Sequence, residues 1–340
     1  MQPVRIGFLG AGLIAHAHAI GLSGSPTPFT ISAVYDPVDE RAQHFATAFA
    51  SAVAPDAASV IEASDAVYVC TWTSEHRPSA ELVVAAGRAV FCEKPLATTL
   101  ADASALAESV QRSCVVNQVG LVLRRSPAFT LLGRLVHEPA AGRVVSVVFR
   151  DDQYIPTQGM YRSTWRGDVS KAGAGTLLEH SIHDIDLIEH TIGRIVNVNA
   201  RSVNYHEIKG IEDVMAVGLG LADGGIGSLV SIWHDNLTRP SQRRVEVFCE
   251  HRYVSLENDW HGPVRWQDTS GDGGALEGRD LTDAVVTSLP STHNPDHGFV
   301  AAVAGGTPAY PDVTVALRAH VVADAIYRSA AARGQAVDCG

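Results

Sequence analysis

The chain has 340 residues, 46% of them hydrophobic, and a net charge of −11 with its histidines neutral. This fits about two folded domains and excludes disorder, a fibre and a broad footprint for nucleic acid. Five cysteines, Cys70, Cys92, Cys114, Cys249 and Cys339, lie far apart without paired metal spacing, an odd number that suits a reducing cytoplasm better than a disulfide framework.

Val4 to Leu9 is a short apolar run of strand formers, and it starts too close to Met1 for a signal peptide. No run reaches the length that spans a bilayer, so a cytoplasmic protein acting on small molecules, with no membrane partner, is expected. The run feeds into Gly10-Ala11-Gly12-Leu13-Ile14-Ala15, a strand, glycine turn and helix. Gly10 permits the turn, Gly12 lets backbone approach a pyrophosphate, and Ala15 allows close helix–strand packing. A second strand, Phe29 to Tyr35, ends at Asp36, about twenty residues past the glycines, where a carboxylate accepts from an adenosine ribose diol. An acid there repels a 2′-phosphate and Pro37 supplies no compensating charge, which favours NAD over NADP. The competing role for Asp36 is a cap on a helix from Val38 to Ala50.

Helices at Ala58 to Ala63 and Ser79 to Ala86 alternate with strands at Ala66 to Cys70 and Ala89 to Cys92, the pattern of a doubly wound parallel sheet, α/β in class. Ligands of such sheets sit at the carboxyl ends of the strands, where Thr71, Trp72, His76 and the triplet Glu93-Lys94-Pro95 fall. Val115 to Val122 is expected to be the last strand, with the domain boundary behind it. Downstream, strand-like runs at Arg143 to Arg150, Ile195 to Val203, Val214 to Leu221, Ile226 to Trp233, Arg244 to Glu250 and Tyr253 to Glu257 lack regular helices between them. That predicts a mostly antiparallel sheet open on one face. Leu237 to Gln242 and Ser270 to Gly278 read as flexible loops, and residues 312–333 as a closing helix.

Between these strands, Gly173 to His190 predicts a helix running out of a glycine turn. Leu178, Ile182, Ile185, Ile188 and Ile192 form its apolar stripe, and Glu179, His183, Asp186 and His190 a neighbouring one. Carboxylates mixed with imidazoles exchange protons near neutrality, so this row could line a site. His180, His183, Asp184 and Asp186 also raise a metal reading, but no third ligand cluster supports it and no metal is assigned.

These motifs resemble the Gfo/Idh/MocA oxidoreductase family. The resemblance is carried by Gly10 to Ala15, by Thr71 to His76, by Cys92-Glu93-Lys94-Pro95-Leu96-Ala97 and by the Glu179–His183 helix, with Ala323 to Ala330 similar to the usual final helix. It implies an N-terminal Rossmann domain at 1–122 and an α+β substrate-binding and oligomerisation domain at 123–340. It also implies a homodimer or homotetramer formed through the open sheet, and a sugar, cyclitol or related polyol as substrate. Gly10, Gly12, Leu13, Ile14, Asp36, Thr71, Trp72, His76, Glu93 and Lys94 would meet NAD. The family helix carries Asp-x-x-x-His, here Glu179 and His183, and the triplet's lysine reaches the substrate from the nucleotide domain. Lys94, His183 and Glu179 are therefore the expected catalytic residues: His183 takes the hydroxyl proton, Lys94 polarises the oxygen and Glu179 positions hydroxyls. Arg124, from a segment near the family's Arg-Phe-x-Pro, and Tyr154, Trp165, Arg166, Asp186 and His234 are candidate substrate contacts, with Asp186 alternatively orienting His183. Glu179 for aspartate, Ser181 for glycine and Trp72 for proline depart from the family pattern. Two other functions remain open: transient oxidation that enables elimination or hydrolysis on a sugar, and a non-catalytic nucleotide sensor.

Overall fold

The N-terminal apolar run forms β1 (Val4–Leu9), buried everywhere except Arg5, as befits a strand covered on both faces. The computed structural model describes residues 2–158, 162–236, 241–286 and 294–340. After β1 come α1 (Leu13–Gly21), β2 (Phe29–Tyr35), α2 (Asp39–Phe49), β3 (Ala52–Val53), α3 (Ala57–Glu62), β4 (Ala66–Val69), α4 (His76–Ala85), β5 (Ala89–Cys92), α5 (Leu100–Ser113) and β6 (Asn117–Val119). The six strands pair in parallel in the order β3-β2-β1-β4-β5-β6. This is the dinucleotide-binding order, with its topological switch between β1 and β4. The last strand is shorter than expected, because the chain enters a 3-10 turn at Val122–Arg125.

The next elements are α6 (Pro127–His137), β7 (Val144–Tyr154), α7 (Val169–Ala172), α8 (Thr176–Glu179), α9 (Ile182–Thr191), β8 (Ile195–Val203), β9 (Val214–Leu221), β10 (Ile226–His234), β11 (Gln242–Cys249), β12 (Arg252–Glu257), β13 (Val264–Asp268), β14 (Gly273–Leu276) and α10 (Gly278–Val285). Then come α11 (Pro295–Gly305), α12 (Val313–Ala331) and β15 (Val337–Asp338). A nine-stranded sheet runs β14-β13-β12-β11-β7-β10-β9-β8-β15, parallel at the β7/β10 pair and antiparallel elsewhere. Successive side chains point to opposite faces. Val147 and Phe149 are fully buried under the helices, while Val148 between them is 42% exposed. The stretch 270–278, expected to be a flexible loop, instead contains β14, paired with β13. Of the other expected loop, residues 237–240 lie outside the described residues.

The chain divides into two compact units, Met1–Leu121 with Thr292–Leu317, and Val122–Ser291 with Arg318–Gly340. This corrects the expectation that residues 123–340 form one domain. The segment carrying α11 packs with the first unit, where Phe299 and Val300 join Phe8, Tyr68 and Phe91 in one core. A run with alanine and glycine between its apolar positions gave no sequence signal for that return. The second unit has its own core, in which Leu178, Ile182, Ile185, Ile188 and Ile192 pack on the sheet.

Candidate active site

In the first unit, the glycine turn separates two jobs. Gly10 has φ +90, and a Cβ there would sit 2.5 Å from the Cys70 carbonyl oxygen, so only glycine fits the turn. Gly12 caps α1 without any side-chain hydrogen bond, and a Cβ on it would meet nothing within 4 Å. The first-turn amides of α1 thus face open space, the arrangement that receives a phosphate at a helix N-terminus. Leu13 and Ile14 beside them are 72% and 40% exposed. Asp36 is buried at the end of β2, where its two carboxylate oxygens accept from Ala11 N at 2.8 Å and Val38 N at 2.9 Å. The helix cap expected as its competing role is not made, since α2 starts behind Val38 with no side-chain cap hydrogen bond; Asp36 closes a turn onto Val38 N instead, and each of its oxygens retains a second lone pair. Thr71 Oγ1, just past β4, is a buried hydroxyl without a hydrogen-bond partner among the described residues. A dinucleotide fits this edge.

Two residues expected to touch the cofactor are turned to other tasks. His76 is 2% exposed, with Nδ1 2.6 Å from the Pro95 carbonyl and Nε2 3.2 Å from that of Thr71. Burial pushes its pKa down, and the ring braces the loop between those two carbonyls. The Glu93 carboxylate is buried too, facing His18 Nε2 at 2.8 Å and accepting from Lys94 N at 3.1 Å. Lys94 is the one partly exposed residue from Phe91 to Ala97. Trp72 precedes the 3-10 turn Thr73–Glu75.

In the second unit, the expected helix from 173 to 190 is broken into α8 and α9 at His180-Ser181. Ser181 explains the break. Its amide reaches back to the Thr176 carbonyl at 2.9 Å, and its hydroxyl donates to Ser231 Oγ at 2.5 Å, which also pairs with Thr176 Oγ1 at 2.8 Å. Glu212 holds the turn ahead of α8 by accepting from Gly175 N, Leu177 N and the Tyr327 hydroxyl at 2.8, 3.0 and 2.9 Å. Burial raises its pKa against these bonds.

The row of polar side chains survives the break, with different partners from those expected. Glu179 accepts from Arg166 Nε at 2.7 Å, and the guanidinium lies 4.3 Å above the Trp165 ring, so Glu179, Trp165 and Arg166 are brought together. His183 is 7% exposed. Asp186 is gripped by Arg124 through two bonds of 2.8 and 2.6 Å, and no hydrogen bond joins it to His183 among the described residues. Arg124 also approaches His190 Nδ1 at 3.2 Å, and burial together with that cation lowers the His190 pKa to about 4, leaving a neutral acceptor. Arg124 is thus tied to both Asp186 and His190. Tyr154 and His234 pair with each other, ring centroids 5.3 Å apart. Ser231 faces α8, so the alternation along β10 puts His234, and Tyr154 opposite it in β7, on the other sheet face. Neither joins Glu179 and His183.

A second buried hub went unseen in the sequence. Arg243 contacts Asp151 at 3.0 Å, Asp184 at 2.6 Å, Asp259 at 2.5 Å and His180 Nε2 at 2.7 Å. Burial raises the Asp184 pKa, opposed by Arg243 and reinforced by Asp151. The available signal was a charged residue at an inward position of each apolar strand, Asp151 in β7 and Arg243 in β11. Among the described residues no group of three His, Cys, Asp or Glu could hold a metal ion, and no helix is long and apolar enough to cross a membrane.

Residues 4–121 match the oxidoreductase family with an NAD-binding Rossmann fold, and residues 129–255 match the GFO/IDH/MocA C-terminal domain. The chain belongs to the Gfo/Idh/MocA oxidoreductases. It is an NAD-binding oxidoreductase, and its two units carry the family's two domains. Inositol 2-dehydrogenase of Rhizobium meliloti is 28% identical over 98% of both chains. Myo-inositol 2-dehydrogenase of Thermotoga maritima is 28% identical over 80% of each. A levoglucosan dehydrogenase solved with NADH and levoglucosan has the same fold, with a TM-score of 0.87 at 22% identity over 99% of each chain.

Proposed function

We propose that this Gfo/Idh/MocA protein is an NAD-dependent dehydrogenase of a secondary alcohol on a sugar, cyclitol or related polyol. Relatives that span nearly the whole chain carry the names of inositol dehydrogenases. The observation that carries the reading is the retained pair Glu179 and His183, with Glu179 drawn to Arg166 beside the partly exposed Trp165. Bound NAD supplies a hydride acceptor. His183 removes the hydroxyl proton as the C–H bond breaks, and Lys94 supplies positive charge for the developing alkoxide. An alcohol is a weak acid, so a base for its proton and positive charge for the developing alkoxide each lower the barrier. Glu179 and Arg166 bind neighbouring hydroxyls, and the indole of Trp165 offers an apolar face to ring C–H groups.

The exposed side of the nine-stranded sheet, where Val148 and Phe248 are 42% and 43% exposed, is the surface we propose for a homodimer or homotetramer, to be checked by light scattering. Five unpaired cysteines support a reducing, cytoplasmic location. The activity is tested by following reduced nicotinamide absorbance while cyclitols and monosaccharides are offered with NAD and, separately, NADP. NADH formation with at least one polyol is expected. Sugar cleavage without net NADH would replace dehydrogenation by transient oxidation, and a silent panel with tight NAD binding would favour a sensor.

A further inference from the structure

The first unit buries an imidazole between two carboxylates. His18, on α1, is 4% exposed. Its Nδ1 lies 2.7 Å from Asp296 Oδ1 and its Nε2 2.8 Å from Glu93 Oε1. Only an imidazolium can donate from both nitrogens at once; a neutral ring would turn a lone pair towards one carboxylate. Burial alone would push the His18 pKa down, but the carboxylates of Asp296 and Glu93 outweigh it and raise it to about 10.

Everything around this triad restricts it. The Tyr68 hydroxyl donates to Asp296 Oδ1 at 3.2 Å, and burial keeps that phenol protonated by pushing its pKa well up. Phe91 meets the imidazole edge-on, with centroids 4.7 Å apart. Two glycines leave just the space the carboxylates fill: a Cβ on Gly120 would come 2.1 Å from Glu93 Oε1, and one on Gly21 2.3 Å from Asp296 Oδ2. The other oxygen of Glu93 accepts from the backbone amide of Lys94 at 3.1 Å. A continuous chain of short polar contacts therefore runs from α11 through α1 to the peptide that bears Lys94. His76 holds the opposite side of the same turn through the Pro95 carbonyl.

We propose that His18 is a positioning residue: as a buried cation between Glu93 and Asp296, it fixes the Glu93 carboxylate and so the backbone that presents Lys94. Lys94 is the group that acts, and the proposal rests on its assignment above. Without the imidazolium, Glu93 and Asp296 would be two buried charges facing an uncharged gap. Glu93 would leave its place and release the Lys94 amide.

The test is a double-mutant cycle of His18→Gln and Lys94→Ala, reading kcat, KM for NAD and the thermal midpoint of each. His18→Gln should lower kcat at least about tenfold while KM for NAD stays within about threefold, and in the Lys94→Ala background it should lower kcat less than about twofold further. A purely structural role would reduce kcat by the same factor in both backgrounds, and that result overturns the proposal. So does a His18→Gln enzyme with wild-type kcat. If Lys94→Ala itself keeps wild-type kcat, the lysine assignment falls and takes the proposal with it, whereas a collapse in Lys94→Ala with none in His18→Gln sinks the proposal alone. Should His18→Gln not fold, Asp296→Asn takes its place in the cycle, since it keeps the ring and nearly the same shape; the same two kcat factors then decide.

Discussion

Two glycines in one turn should fail in opposite ways when each becomes alanine. Gly10→Ala places a methyl 2.5 Å from the Cys70 carbonyl oxygen at a φ of +90. The backbone conformation costs roughly 1–2 kcal/mol for an L-residue, and displacing a main-chain neighbour costs roughly 1–3 kcal/mol more. A destabilisation of about 3 kcal/mol is expected from these two effects. Gly12→Ala meets no atom within 4 Å, and its φ of −78 is open to any residue, so apo stability should stay within about 1 kcal/mol of wild type. Its methyl instead fills the space over the first-turn amides of α1. NAD affinity should fall by roughly tenfold or more, about 1.4 kcal/mol. Urea unfolding followed by tryptophan fluorescence gives the stabilities, and titration with NAD gives the affinities. If Gly12→Ala bound NAD as wild type does, the pyrophosphate would not lie on those amides. If it lost as much stability as Gly10→Ala, the space above Gly12 would not be open in the folded protein.

Replacing Arg166 by Met strips Glu179 of its cation, so KM for the polyol should rise about tenfold with NAD affinity unchanged in a titration. Arg243→Met strands Asp151 and Asp184 without their buried partner, and urea unfolding should show a loss of about 3–5 kcal/mol. Tyr327→Phe removes the hydroxyl that donates to Glu212 and accepts from the Leu178 amide, for a loss of about 1–3 kcal/mol in the same assay. The raised His18 pKa means that the folded state holds this proton more tightly than the unfolded state. The stability it brings is full below pH 6.5 and is lost as pH climbs through about 10. The unfolding free energy measured across that window should decline with pH in wild type and flatten in His18→Gln.

Local chemistry made much of the nucleotide unit readable from sequence. Apolar runs bounded by glycine, and Asp36 at the end of the second of them, are signals spread over a few adjacent residues. The ranges expected for the strands at Ile195–Val203 and Val214–Leu221 agree with those observed. What escaped notice depends on partners distant in the chain. His18 pairs with Asp296 across 278 residues, and nothing near either residue announces it. The claim of Arg124 on Asp186 was hidden in the same way, because an arginine beside a site-lining helix reads as a ligand contact until the carboxylate it grips is known. Tyr154 and His234 were misplaced for a simpler reason. One step along a strand exchanges the two faces of a sheet, and the chain alone does not reveal which face the helices cover. The broken helix was missed because its apolar stripe runs unbroken through Ser181.

That interruption separates how Glu179 and His183, the two groups proposed to act, are anchored. The short helix ending in Glu179 is held from Glu212 and Tyr327, whereas the helix that follows is fastened through Asp184 to Arg243 and through Asp186 to Arg124. A change in the reach of the acidic side chain, such as the extra methylene of glutamate, can be absorbed on one side of the joint without swinging the imidazole on the other. Substrate preference can drift in such a scaffold while the imidazole proposed to take the proton stays where it was.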